Sequence, residues 1–351
     1  MTATATRVAP SGAARKVASR RSVRWSGLVV GLVAVAVLCF ISLAVGARTI
    51  SLPTVWQAIG HYDPSNTDQL VIRELRLPRT ILGVLVGAAL GLAGAVMQGV
   101  ARNPLADPGI LGVNAGAALF VVVAISVFGI TSILGYVWFA FAGAGLAAAV
   151  VYSIASLGRD GATPIKLALS GAAVSAAFGA VTTSFLLFDQ ATFDQFRFWQ
   201  VGALAGRDLT IAGQIAPFLV AGCLFALTLG RVLNTLSLGE DVARGLGANI
   251  ALSRGLSAAA VVLLCGGATA AAGPIGFIGL TIPRVARMIT GPDYRWALPY
   301  SMVLAPILLL SADIIGRVIA RPGEVQVAIV TAVIGAPVFI ALVRRRKLAE
   351  L

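Results

Sequence analysis

Charged residues interrupt this chain so rarely that the uncharged runs between them set its elements. Residues 25–47 form an uncharged run of 23 between Arg24 and Arg48, and residues 80–101 one of 22 between Arg79 and Arg102. Further runs cover 108–158, 167–188, 209–230, 255–283, 296–312 and 325–343. A bilayer crossing takes roughly 20 apolar residues. The 51 residues of 108–158 are too many for one crossing, and the stretch Gly129-Ile130-Thr131-Ser132-Ile133-Leu134-Gly135 divides them into two helices. Run 255–283 holds Gly273-Pro274-Ile275-Gly276, which a continuous helix tolerates poorly. It reads either as a helix plus a re-entrant segment, or as two helices with the second continuing past Arg284.

Parity chooses between these. Residues 1–24 carry Arg7, Arg15, Lys16, Arg20, Arg21 and Arg24 without an acid, and the far end carries Arg344-Arg345-Arg346-Lys347. Basic flanks stay in the cytoplasm, so both termini are expected inside. Both ends inside requires an even count, and splitting 255–290 gives ten transmembrane helices. In that arrangement the inside segments hold nineteen basic and six acidic residues and the outside segments eight of each, so the inside surplus equals the formal charge of +13. A cleaved signal peptide is disfavoured because the first apolar region is too long.

Composition agrees. Of 351 residues, 58% are hydrophobic and 12% charged, with mean hydropathy +0.92; a soluble domain carries about 25% charged residues. The expected class is an all-α polytopic membrane protein. Gly83, Gly87, Gly91 and Gly94 repeat at the small-residue spacing that lets membrane helices approach closely. Cys39, Cys223 and Cys265 fall in apolar runs and read as small buried hydrophobes. The single His61 sits in a polar loop, which disfavours a His-based metal site.

Candidate chemistry is sparse. A phosphate-binding P-loop needs a lysine behind glycines, and Lys16, Lys166 and Lys347 all lack that context. No catalytic constellation is visible, which disfavours an intramembrane enzyme. All 41 charged residues are assignable to loops or segment ends, with Asp313 nearest a membrane interior. An ion-coupled secondary carrier would be expected to bury such groups. What remains is a channel, or a permease driven by a separate motor.

Residues 1–24 read as a disordered basic cytoplasmic tail, 25–345 as the transmembrane domain, and 346–351 as a cytoplasmic C-terminal tail. The outside segment 189–208 places Phe193, Phe196, Phe198 and Trp199 along a possible interfacial helix. The inside segment 237–255 suits two short helices joined at Gly245–Gly247. NPLADPGILG (103–112) and AGPIGFIGL (272–280) echo one another as broken connectors facing opposite sides, the pattern of an inverted repeat.

Several stretches carry a resemblance: IRELRLPRTILGVLVGAALGLAGAVMQG (72–99), RNPLADPGILGVNAGA (102–117), LGEDVARGLG (238–247), GPIGFIGLTIPRVAR (273–287) and DIIGR…IGAPVFIALV (313–343). In this order and spacing they resemble the permease subunit of FecCD-type ABC importers, over roughly residues 25–345. Arg284 stands where that family usually has His, and Gln326 and Ala328 where it usually has Pro and Gly. The resemblance implies a type II ABC importer permease fold of ten helices. It also implies pairing with a second permease subunit, identical or paralogous, and two ATPase subunits on the cytoplasmic side that hold ATP and Mg. A substrate-binding protein would dock outside. The implied location is the bacterial plasma membrane, in contact with lipid and not with nucleic acid, and this chain itself would hold no cofactor, metal or catalytic residue. The cargo implied is ferric siderophore, with haem or cobalamin as alternatives. By motif position, Arg76, Arg79 and Arg317 would face the binding protein. Leu238, Gly239, Glu240, Arg244, Leu246 and Gly247 would couple to the ATPase. Asn103, Leu105, Thr163, Pro164 and Ile165 would narrow the cytoplasmic gate.

Overall fold

The computed structural model of the protein describes residues 12–46, 48–157 and 163–347. Every regular element among them is helical. In chain order these are α1 (Gly12–Ala44), α2 (Leu52–Gly60), α3 (Thr67–Val71), α4 (Leu77–Ala101), α5 (Val113–Ser126), α6 (Ile133–Ala155), α7 (Pro164–Phe188) and α8 (Gln190–Gln200). There follow α9 (Leu209–Thr228), α10 (Gly230–Ser237), α11 (Glu240–Gly245), α12 (Ile250–Val261), α13 (Gly267–Ala272), α14 (Ile278–Thr290), α15 (Tyr294–Ile319) and α16 (Val327–Lys347). Wider π-type turns at Ile72–Arg76 and Val262–Gly266 join α3 to α4 and α12 to α13 without a break.

Capping side chains start many of these helices. Thr163, Asp208, Asn249 and Asp293 each accept a backbone N–H of the first turn of α7, α9, α12 and α15. Such caps satisfy donors that the helix itself cannot. α13 ends at Gly273 (φ 74°) and α14 begins after Phe277 (φ 69°), so the expected break falls at 273–277.

α4 is the centre of the molecule, buried on nearly every side. Its glycines are the points of closest approach. A Cβ on Gly87 would stand 2.8 Å from the Pro306 backbone, and one on Gly94 would overlap the Gly279 backbone. The small-residue repeat is therefore a packing seam against α15 and α14.

Seven helical segments among the described residues are long and apolar enough to cross a membrane, with α5 and 327–341 as shorter apolar helices. The 14 residues of α5 span about 21 Å, less than the ~30 Å hydrocarbon core. At the chain ends, α1 starts at Gly12, within the stretch 1–24. Alanine, lysine and arginine in that stretch all favour helix. Likewise α16 runs to Lys347, taking in the first two residues of the expected 346–351 tail. Residues 1–11 and 348–351 lie outside the described residues.

Candidate functional site

Arg76 sits on the π-type turn before α4, and Arg79 on the first turn of α4 itself, after Pro78. Arg76, Arg79 and Arg317 are all buried. Arg79 Nη2 lies 2.8 Å from Asp313 Oδ1 and its Nη1 2.7 Å from Glu324 Oε2. Arg317 Nη2 lies 2.9 Å from Asp313 Oδ2, while its Nη1 donates to Ser42 O at 2.8 Å and Val45 O at 3.0 Å. Arg76 donates to Leu43 O at 2.7 Å and to Arg48 O. The physical reason is compensation: a buried guanidinium must be paired or fully hydrogen-bonded. Asp313 and Arg317 lie buried one turn apart near the C-terminal end of α15.

What these groups leave open is a recess of about 190 Å³ lined by Arg48, Arg76, Arg79, Arg317, Glu324 and nearby apolar residues. Arg79 and Arg317 have internal carboxylate partners, whereas among the described residues Arg76 donates to neutral carbonyls and forms no ion pair, so its charge is not cancelled by a salt bridge. Such a recess can accept a carboxylate from outside the chain.

Along α4, Arg79 and Gln98 are separated by about 28 Å, so the Gln98 end lies at the opposite face of a bilayer. There Gly239 (φ 103°) turns the chain into α11 and Gly247 (φ 81°) leads out of it. Leu238, Val242 and Leu246 are exposed, as is Arg244. Glu240 differs: it accepts from Arg102 Nη2 at 3.3 Å, from Arg244 Nη2 at 3.5 Å and from Arg254. The Glu240 carboxylate thus ties α11 to α12 and to the end of α4. Nearby, hydrogen bonds from Arg295 hold the Asp293 carboxyl down at about 2.

Asn103 Oδ1 accepts the Leu105 N–H at 2.9 Å, closing a tight turn that leaves Leu105 exposed. Thr163 caps α7, Pro164 begins it, and Ile165 is 72% exposed. The two expected gate segments approach each other further along, where Gly171 on α7 lets the Ile110 carbonyl come close. Sequence reading missed Glu324, Ser42, Arg102 and Arg254 as partners. The one available signal was the i, i+4 spacing of Asp313 and Arg317.

The sequence motifs converge in space. Gly279 packs against Gly94 and Pro108, and Phe277 packs against Gly335, so GPIGFIGL touches both DPGILG and IGAPVF. A family model described as the FecCD transport family matches residues 34–345. The chain is 45% identical over 331 residues to the ferric enterobactin transport system permease protein FepD of Escherichia coli, covering 94% of this chain and 97% of that protein. It is 42% identical over 329 residues to the probable siderophore transport system permease protein YfiZ of Bacillus subtilis, covering 94% and 98%. A solved structure of a metal-chelate type ABC transporter in an inward-facing conformation aligns with a TM-score of 0.80 at 30% identity, covering 91% of this chain and 99% of that one. A match that runs from within α1 to within α16 takes in the arginine recess, the connectors and α11 alike, and the chain belongs to the FecCD transport family.

Proposed function

We propose that this chain is the membrane-spanning permease subunit of an ABC importer that carries ferric siderophore across the bacterial plasma membrane, driven by ATP hydrolysis in a separate subunit. The observation that carries this reading is the 45% identity to a ferric enterobactin permease across 97% of that protein's length. In this reading the chain crosses ten times, with the seven long spans joined by α5, α14 and α16, and both termini are cytoplasmic. A second permease subunit covers part of the exposed apolar surface of α7, where Leu187 and Phe188 stand open. The recess beside Arg76 takes a carboxylate of an extracytoplasmic binding protein. The exposed apolar residues of 238–247 fit a cleft on one of the two ATPase subunits, and Leu105 and Ile165 narrow the path on the same side.

The reading is tested by reconstituting the chain with its ATPase and binding protein in proteoliposomes and following radiolabelled iron. ATP-dependent uptake of ferric siderophore, unaffected by collapsing ion gradients, is expected. Uptake that needs an ion gradient and no ATPase would identify a secondary carrier. Transport of haem or cobalamin in place of ferric siderophore would move the substrate assignment.

A further inference from the structure

A second cavity, of about 490 Å³, opens at the Gln98 end of α4. Arg102, Arg284, Arg287, Gln98, Met288 and Tyr294 line it, and among the described residues no carboxylate does. Arg287 is held in place: its Nη2 donates to Gln98 Oε1 at 2.8 Å and its Nη1 to Tyr294 Oη at 3.3 Å. Gln98 is 1% exposed and is itself fixed, with Nε2 donating to Leu280 O at 3.0 Å and Gly279 O at 3.3 Å. Both acceptors of Arg287 are neutral, so they orient its charge without cancelling it. Arg102 shares the single Glu240 carboxylate with Arg244 and Arg254. The cavity therefore carries surplus positive charge on a rigid frame.

Its surroundings fix the depth. Trp25 and Trp296 pack edge to face with centroids 5.4 Å apart, and Arg24 stacks on Trp296 at 5.7 Å. Arg24 also reaches Gly291, which lines the cavity. Tryptophan and arginine together mark the headgroup level of a bilayer. Beside the mouth, Met288 and Ile289 on α14 are 64% and 56% exposed, apolar surface suited to acyl chains. Basic pockets between transmembrane helices recognise anionic headgroups through such an arrangement. A soluble anion would use the guanidinium groups but leave Met288 and Ile289 uncovered.

We propose that this cavity seats the phosphate of one anionic phospholipid, with Arg287 as its central ligand and the acyl chains along Met288 and Ile289. The lipid would brace the junction of α4, α10 and α14 beside the 238–247 segment. This site does not depend on the identity of the imported substrate.

The test is native mass spectrometry of the purified full chain, titrated with phosphatidylglycerol or phosphatidylcholine. One tightly held phosphatidylglycerol per chain is expected, with no equivalent phosphatidylcholine. Arg287→Gln should weaken phosphatidylglycerol binding about fivefold, the effect of removing one basic residue near a membrane surface. Arg287→Lys should keep most of it, and Arg197→Gln, an exposed arginine on α8, should change nothing. Arg102→Gln serves in place of Arg287→Gln if the latter does not run as a single species on size exclusion. Equal retention of both lipids, or wild-type retention by Arg287→Gln, overturns the proposal. Displacement of the lipid by millimolar inorganic phosphate would assign the cavity to a soluble anion. Displacement by the ATPase subunit would assign it to an acidic side chain of that partner.

Discussion

Arg79 and Asp313, 234 positions apart, meet with Nη2 2.8 Å from Oδ1, both side chains almost wholly out of solvent. Asp313 also holds Arg317 from its own helix. One carboxylate thus compensates two guanidinium groups and locks the start of α4 to the end of α15. Removing it would leave both cations buried beside each other.

Asp313→Ala should therefore destabilise the protein by about 3–5 kcal/mol, the usual cost of leaving a buried charge without its partner. Thermal unfolding in detergent would show the loss. Replacing Arg79 and Asp313 together should cost less than Asp313→Ala alone, since the unpaired Arg317 then no longer faces a second buried guanidinium. A double variant that is no more stable than the single one would mean that the pair is not what stabilises this junction.

Glu324 plays a lighter part. It is one-third exposed and meets Arg79 from the loop before α16, so Glu324→Gln should cost under about 1 kcal/mol of stability. On the proposed function it also competes with an incoming carboxylate for the recess. The variant should then bind the substrate-loaded binding protein more tightly, with a stronger dependence on salt, in a surface-based titration. Unchanged affinity across salt concentrations would remove Glu324 from the docking event.

The sequence made the helical architecture and the break at 273–277 legible because apolar run length and Gly-Pro placement act locally. Motif order made the residues of the recess nameable as well. Their burial was not legible, because it depends on α15 bringing Asp313 across from a distant part of the chain to meet Arg79. The ion pairs of Glu240 were not legible for the same reason: an acidic residue in a mixed loop looks solvated until Arg254 and Arg102 are placed around it. Crossing number stays beyond direct reading because α5 and α14 are shorter than the bilayer core, and their spanning depends on neighbours and tilt.

Within the 238–247 segment the exposed and the tied residues should behave differently. Leu246→Glu places a charge on the exposed apolar face and should abolish ATP-dependent uptake while leaving thermal stability unchanged. Glu240→Gln should lower stability, by loosening α11 from α12, and reduce uptake only in proportion. Paired measurements of melting temperature and uptake in proteoliposomes separate the two. Equal effects of both changes on stability would contradict the division.

The seam between α4 and α14 gives the sharpest packing test. A Cβ on Gly94 would overlap the Gly279 carbonyl, and Gly279 is itself pressed against Pro108. Backbone on both sides leaves no flexible side chain to give way, so Gly94→Ala must push the helices apart. Overpacking of this kind costs about 1–3 kcal/mol. Gly213 on α9 is the control, since a Cβ there meets nothing within 4 Å, and Gly213→Ala should be neutral or slightly stabilising because alanine gives up less chain entropy than glycine. Because α14 begins at the connector that touches Pro108 and Gly335, Gly94→Ala should also impair uptake at temperatures well below its unfolding. Should Gly94→Ala melt and transport like Gly213→Ala, α4 and α14 would have to be further apart than the structure places them.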